Sequence, residues 1–219
     1  MLASFFQFAW QHLPALLKGT ELTLFIWVIG VTGGFFFGWL LAIGRTYGNR
    51  PVRLLATAYI EIFRGTPMLA QMFIIYMGLP NIGIVLSPLW AATWAIGLNT
   101  SAYQAEYFRG GIGAVRSGQM SAARAIGLSR RQAILFIVLP QSFRIALPQW
   151  TNEVILELKY TSIAFTIGVS ELMGQAKTIA ATSFSYFQIF LVAAIMYVII
   201  VSIVTSACGV LERRYALRQ

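Results

Sequence analysis

The chain reads as an all-α integral membrane protein with about five transmembrane helices, its N-terminus outside and its C-terminus inside. Three observations carry that expectation. Of 219 residues, 58% are apolar and 11% charged, with a mean hydropathy of +0.72, whereas a soluble domain has roughly 45–50% apolar and about 25% charged residues. Residues 22–44, 65–105 and 178–211 carry no charge, and each window holds at least one stretch of the roughly 20 apolar residues a span needs. The basic residues fall on one side of the spans these windows define. Arg45, Arg50 and Arg53 follow the first span; Arg116, Arg124, Arg130, Arg131 and Arg144 follow the third; Arg213, Arg214 and Arg218 follow the fifth. Lys18 and Lys177 fall on the other side, so the excess of arginine marks the cytoplasm.

The first twenty residues have no positive leader segment and no small-residue cleavage site, so they are expected to be retained. Phe5, Phe6, Phe8, Trp10, Leu13, Leu16 and Leu17 alternate with Gln7, Gln11, His12 and Lys18, which predicts a short amphipathic helix in the outer interface. Spans follow near residues 22–43, 54–79, 88–110, 148–170 and 186–210. Pro80-Asn81 and Ser87-Pro88 divide the second from the third as an external turn. A cytoplasmic loop covers residues 116–147. Residues 1–219 form one transmembrane domain, without a linker or internal repeat.

The inventory excludes several chemistries. One cysteine, Cys208, leaves no internal disulfide, and one histidine, His12, with no Asp at all, removes the usual metal and triad arrangements. No metal site is expected. Nor is there a phosphate-binding loop of the form G-x-x-x-x-G-K-[ST]. Any ATPase that drives this chain is therefore another chain, with ATP and Mg bound there and no cofactor here.

The second span carries the most information. Arg64 lies ten residues beyond Leu54, about 15 Å into a hydrocarbon core about 30 Å thick. An arginine at that depth faces protein or water. Gly65-Thr66-Pro67 then break the helix, because Pro67 has no N–H for the carbonyl of Phe63 and Gly65 permits unwound backbone. Freed peptide groups beside a fixed cation suit a small zwitterion. The structural reading is that Arg64 pairs with Glu61 one turn back and the proline only kinks the span. Both readings stand at this point.

The fourth span carries Asn152, Glu153, Glu157, Lys159, Tyr160, Thr161, Ser162 and Thr166, too polar a load for a lipid-facing helix. Glu153, Glu157, Tyr160 and Ala164 share one face; Asn152, Lys159 and Thr166 fall roughly opposite. One face is expected to meet the second span and the pathway, the other a partner around a dimer axis. Glu153 and Glu157 near a zwitterion site favour a cationic side chain, although Glu153 pairing with Arg144 or capping the helix is an equal alternative. Glu106 and Arg109, three apart, are expected to pair structurally. Trp90, Trp94 and Trp150 are assigned to the membrane boundaries, and Met68, Met72 and Met77 to packing.

The loop from Arg116 to Pro148 is too apolar to be solvated. Ala122, Ala123, Ala125 and Ile126 have helical spacing, Gly127 is placed as a C-cap, and Ser129 as N-cap of a second short helix carrying Ile134 to Leu139. Paired alanines allow another backbone to approach closely. The plainer reading is an amphipathic hairpin on lipid headgroups.

Ala122-Ala123, Gly127 four residues later, nine further residues and Ile137-Val138-Leu139-Pro140 together resemble the EAA loop of ABC importer permeases. Ser121 stands where that family usually has Glu; its hydroxyl is expected to cap a helix at Ala122. The resemblance extends toward the permeases of polar amino-acid importers. Leu16 to Thr20 with Thr23-Leu24, Tyr59 to Pro67, and Ala102-Tyr103 through Glu106 with Arg109-Gly110-Gly111 are similar to that family's first three spans.

The resemblance implies a permease that pairs with a second copy or a paralogue. It also implies two cytoplasmic ABC ATPase subunits, an external amino-acid-binding protein and a bacterial cytoplasmic (inner) membrane; nucleic acid has no part. It implies ATPase coupling through Ser121, Ala122, Ala123 and Gly127. It implies a substrate site that includes Lys159, Thr161 and Ser162, with Tyr160 replacing the family's frequent Asp. With the second-span reading, the candidate substrate residues are Arg64, Gly65, Thr66, Pro67, Glu153, Lys159, Thr161 and Ser162. The rival is an ion-coupled secondary amino-acid transporter, which predicts an inverted repeat.

Overall fold

The computed structural model describes residues 2–115 and 117–215; Arg116 and Arg218, counted in the orientation argument, lie outside them. Helix α1 (Leu2–Tyr47) runs 46 residues without interruption, about 69 Å at 1.5 Å per residue. The expected separate interfacial helix is therefore corrected. Phe5, Phe8, Ala9 and Leu16 pack against Leu172, Ala176, Ile179 and Ile189 of α8 and α9, whereas Phe6, Trp10 and Leu17 are exposed. Pro14 sits inside the helix.

α2 (Arg50–Gly65) is N-capped by Asn49, whose Oδ1 accepts from the Val52 N–H at 3.1 Å. It ends at Thr66 and Pro67, both extended, and α3 (Met68–Phe73) starts immediately after. A π-turn (Ile74–Gly78) and a 3-10 turn (Leu79–Ile82) continue it. The second span is thus not straight: Arg50–Gly65 and Met68–Ile82 meet at 106°. α4 (Pro88–Ala114) is the central helix, and Ala91, Ala92, Asn99, Thr100, Gln104, Phe108 and Ile112 along it are buried. Gly34 of α1 permits a close approach to it: a Cβ there would collide with Thr100 Cγ2 and stand 3.2 Å from the Ser101 nitrogen.

α5 (Ser117–Ala125) begins four residues before Ser121, so Ser121 lies within the helix and does not cap it. α6 (Arg130–Ala133) opens with a capping box between Ser129 and Gln132. The chain stays helical beyond α6. It passes through a π-turn (Ile134–Val138) into α7 (Leu139–Tyr160). A π-turn lets a helix absorb a lost hydrogen bond, here the one Pro140 cannot donate. A 3-10 stretch (Thr161–Ile167) ends at Gly168 with φ +91°. α8 (Leu172–Ser183) lies where no element was expected, and α9 (Tyr186–Tyr215) follows.

Three stretches, Phe5–Tyr47, Arg130–Ile167 and Tyr186–Tyr215, are long and apolar enough to cross a membrane, and the bent pair is a fourth. α4, with 27 residues, is about 40 Å long. Its apolar average is diluted by Asn99, Gln104 and Glu106, two of them buried against neighbouring helices and Glu106 in ion pairs. Trp150 is not a boundary anchor: its Nε1 donates to Gln104 Oε1 at 2.8 Å, and its ring packs on Phe35. Trp90 and Trp94 stay exposed.

Candidate functional site

The break between α2 and α3 is held by side chains that replace the missing backbone bonds. Gln71 Nε2 donates to the carbonyl of Phe63 at 2.8 Å, to that of Thr66 at 3.1 Å and to Thr66 Oγ1 at 2.7 Å. Asn99 of α4 donates to the same Phe63 carbonyl at 3.2 Å and to Gln71 Oε1 at 2.9 Å. The carbonyl that Pro67 leaves free is therefore satisfied twice. Gln71 and Asn99 were missed in the sequence; the signal was two amides within a charge-free window. Arg64, Gly65, Thr66 and Pro67 are exposed on the isolated chain, with no atom within 4 Å of a Cβ placed at Gly65.

Arg64 pairs with Glu106 at 3.7 Å, not with Glu61, and lies 5.4 Å over the Tyr103 ring. Glu106 is the hub of a cluster. It accepts from Arg45 at 2.6 Å and from Arg109 at 2.9 and 2.7 Å, while Glu61 takes Arg45 at 3.3 Å. The Glu106–Arg109 pair expected from spacing is present. The pairing of Arg64 with Glu61 is corrected, since its guanidinium shares the Glu106 carboxylate with Arg45 and Arg109. The cluster is only partly buried and carries one positive charge in excess.

α7 separates the fourth-span candidates. Glu153 and Glu157 are 4% and 1% exposed, against α4. Tyr107 donates its hydroxyl to Glu153 Oε2 at 3.0 Å, so Glu153 neither pairs with Arg144 nor caps the helix. Glu157 Oε2 is sealed from solvent without a partner. Lys159 and Tyr160 are exposed. Thr161 and Ser162 donate to the carbonyls of Leu158 and Lys159, both at 2.7 Å. The stretch after them meets the far side of the break: Ile163, Ala164 and Ile167 pack with Met68, Met72 and Phe73. The structure thus brings the Arg64–Pro67 break and the end of α7 to one region, and leaves Glu153 and Glu157 behind it.

A second polar knot was not foreseen. Glu171, fully buried, caps α8 by accepting from the Met173 and Gly174 N–H groups, both at 2.8 Å. It also accepts from Thr23 of α1 at 3.3 Å and Tyr197 of α9 at 3.0 Å. One carboxylate ties three helices together.

The coupling candidates lie on a well-formed helix end. Leu128 N–H bonds the Ala123 carbonyl and Gly127 N–H that of Arg124, both at 3.1 Å, with Gly127 at φ +89°. That is a Schellman motif, in which glycine takes the left-handed position. Ala123 is buried, whereas Ser121, Ala122, Gly127 and the 78%-exposed Ile126 face outward.

An apolar helical chain with an exposed polar break in one of its helices, and an exposed small-residue loop between α4 and α7, has the features of a membrane transport component. The chain belongs to the family described as binding-protein-dependent transport system inner membrane component, whose model matches residues 34–217. It is 36% identical over 207 residues to the glutamine transport system permease protein GlnP of Escherichia coli (strain K12), covering 94% of each chain. To the arginine transport system permease protein ArtQ of Bacillus subtilis (strain 168) it is 34% identical over 204 residues, 93% of each. Among solved structures, an amino acid ABC transporter with histidines superposes with TM-score 0.86 at 34% identity, over 93% of this chain and 95% of that one. The inward-facing MetNI methionine ABC transporter gives TM-score 0.77 at 19% identity, over 93% and 97%, a likeness of fold. The chain is a permease subunit of ABC type, and the ion-coupled alternative is set aside.

Proposed function

We propose that this chain is the permease of an ATP-driven, binding-protein-dependent importer for a polar amino acid in a bacterial cytoplasmic (inner) membrane. It works as a dimer with a second copy or a paralogue, crosses five times with its N-terminus outside, and forms one domain. Two cytoplasmic ATPase subunits bind ATP and Mg, and an external binding protein delivers cargo. The names of the relatives supply the substrate class. The observation that carries the mechanism is the break at Gly65–Pro67, exposed beside the end of α7.

Arg64 and the N–H groups of the break face the substrate carboxylate, and Lys159, Thr161 and Ser162 complete the site. Glu153 acts from behind, through Tyr107. Ser121, Ala122, Ala123 and Gly127 dock the ATPase, so that nucleotide binding pulls on α5 and switches the paired permeases between two accessibility states.

The test is ATP hydrolysis by the permease reconstituted with its ATPase and binding protein, screened against single amino acids, with uptake of the labelled hit measured in parallel. Stimulation with uptake by a polar amino acid supports the reading, and a cationic hit gives the carboxylates behind the site a part in selectivity. Absence of ATP dependence overturns it.

A further inference from the structure

At the helix ends beyond the Glu106 hub lies a cleft of about 370 Å³ lined by Arg45, Thr46, Arg53, Thr57, Arg109 and Gly113. It draws on three helices: Arg45 and Thr46 end α1, Arg53 and Thr57 lie in the first half of α2, and Arg109 and Gly113 close α4. Arg45 and Arg109 each spend two nitrogens on carboxylates and keep further N–H groups. Arg53 reaches only the Gly48 carbonyl, at 3.5 Å. Thr46 Oγ1 is sealed from solvent and has no hydrogen-bond partner. That oxygen is closed to an ion in the cleft as it is to water, so the donors the cleft itself presents are the guanidiniums. The Cβ direction at Gly113 is open, with no atom within 4 Å, so the space beside it is free.

A carboxylate offers two oxygens in one plane. Three guanidiniums arriving from three helices call for an anion with oxygens on all sides, and a tetrahedral phosphate has that shape. Glu106 and Glu61 offset part of the charge, but with Arg53 and Arg64 included the neighbourhood keeps a positive excess. In the proposed orientation this is the cytoplasmic end, where anionic lipids collect and basic pockets between helices take their headgroups. We propose that the cleft at Arg45, Arg53 and Arg109 is a phosphate-binding site, filled by the headgroup of an anionic lipid or by free phosphate. The site rests on its own geometry and is separate from the cargo reading; only the leaflet depends on the orientation.

The test uses the complete permease–ATPase complex purified from nanodiscs containing phosphatidylglycerol and phosphatidylcholine, with retained lipid read by native mass spectrometry. Retention of phosphatidylglycerol over phosphatidylcholine is expected, with loss of that excess in Arg53→Gln and in Gly113→Leu. The second variant fills the cleft without touching a charge, at a residue whose φ is not in the left-handed region. Displacement of the lipid by inorganic phosphate, or phosphate binding in lipid-free detergent that both variants abolish, assigns the site to the soluble ion. Equal retention of the two lipids together with no phosphate binding, or binding unchanged by both variants, overturns the proposal. A variant that fails to assemble is replaced by Thr57→Val, which removes one hydroxyl from the cleft rim and is expected to weaken binding severalfold; unchanged binding then counts against the site.

Discussion

At the scale of single residues, the polar side chains inside this chain decide how its backbone ends are satisfied. Glu171 accepts from two helix N–H groups and from Thr23 and Tyr197. Glu171→Ala is expected to destabilise by more than the about 0.5–2 kcal/mol of a simple cap, because two buried hydroxyls lose their acceptor as well. Glu171→Gln keeps an oxygen for part of the knot and should lie in between; thermal unfolding of the purified permease orders the three. Gln71→Leu strips the Phe63 and Thr66 carbonyls and the Asn99 amide of a common partner. Phe63 and Asn99 still bond each other, so the cost is that of the lost bonds, about 0.5–1.5 kcal/mol each, and the break should loosen, read as faster amide exchange around Met68. Glu157→Gln is expected to go the other way. The substitution removes a buried carboxylate beside Glu153 whose Oε2 has no partner among the described residues, and a midpoint equal to or above that of the parent checks it.

At the scale of elements, much was legible because it follows from local chemistry. The helix break at Gly65–Pro67, the glycine cap at Gly127 and the Ser129 N-cap depend on neighbours in sequence, and each stands where the residues put it. What was not legible depends on remote partners. The amphipathic pattern of residues 5–17 is the same whether its apolar face meets lipid or α8, so the continuity of α1 could not be read from it. α8 was hidden because its N-cap, Glu171, is an ordinary acidic residue until the fold brings Thr23 and Tyr197 to it. Trp150 likewise reads as a boundary anchor until Gln104 is seen opposite.

The tight packing of α1 on α4 at Gly34 gives a prediction of its own. Gly34→Val drives two methyl groups toward Thr100 and the Ser101 backbone, and overpacking of this kind costs about 1–3 kcal/mol. The α1–α4 pair is expected to separate, seen as a lower unfolding midpoint, whereas Gly33→Val, where a Cβ meets nothing within 4 Å, should leave it unchanged. Gly127→Val forces a β-branched side chain into φ +89°. It should unwind the end of α5 and reduce ATPase co-purification with little effect on the rest of the fold.

For the molecule as a whole, the exposed polar break on an isolated chain requires cover. Arg64, Gly65, Thr66 and Pro67 are exposed, and in lipid an unwound, charged segment is tolerable only against protein or water. A second permease placed there with a water-filled space between the two meets that requirement, and it puts the segment in the path that changes sides. Because Cys208 is the single cysteine, a Cys208→Ser background lets one introduced thiol report on that space. Thr66→Cys in this background should react with a membrane-impermeant maleimide from one side in the nucleotide-free complex, and severalfold more slowly from that side when the ATPases are trapped with nucleotide. Lys159→Cys, at the exposed end of α7, should change in the same direction if the two elements line one space. Equal labelling in both nucleotide states would place the break against lipid-free protein that does not move, and alternating access at this segment would then be wrong.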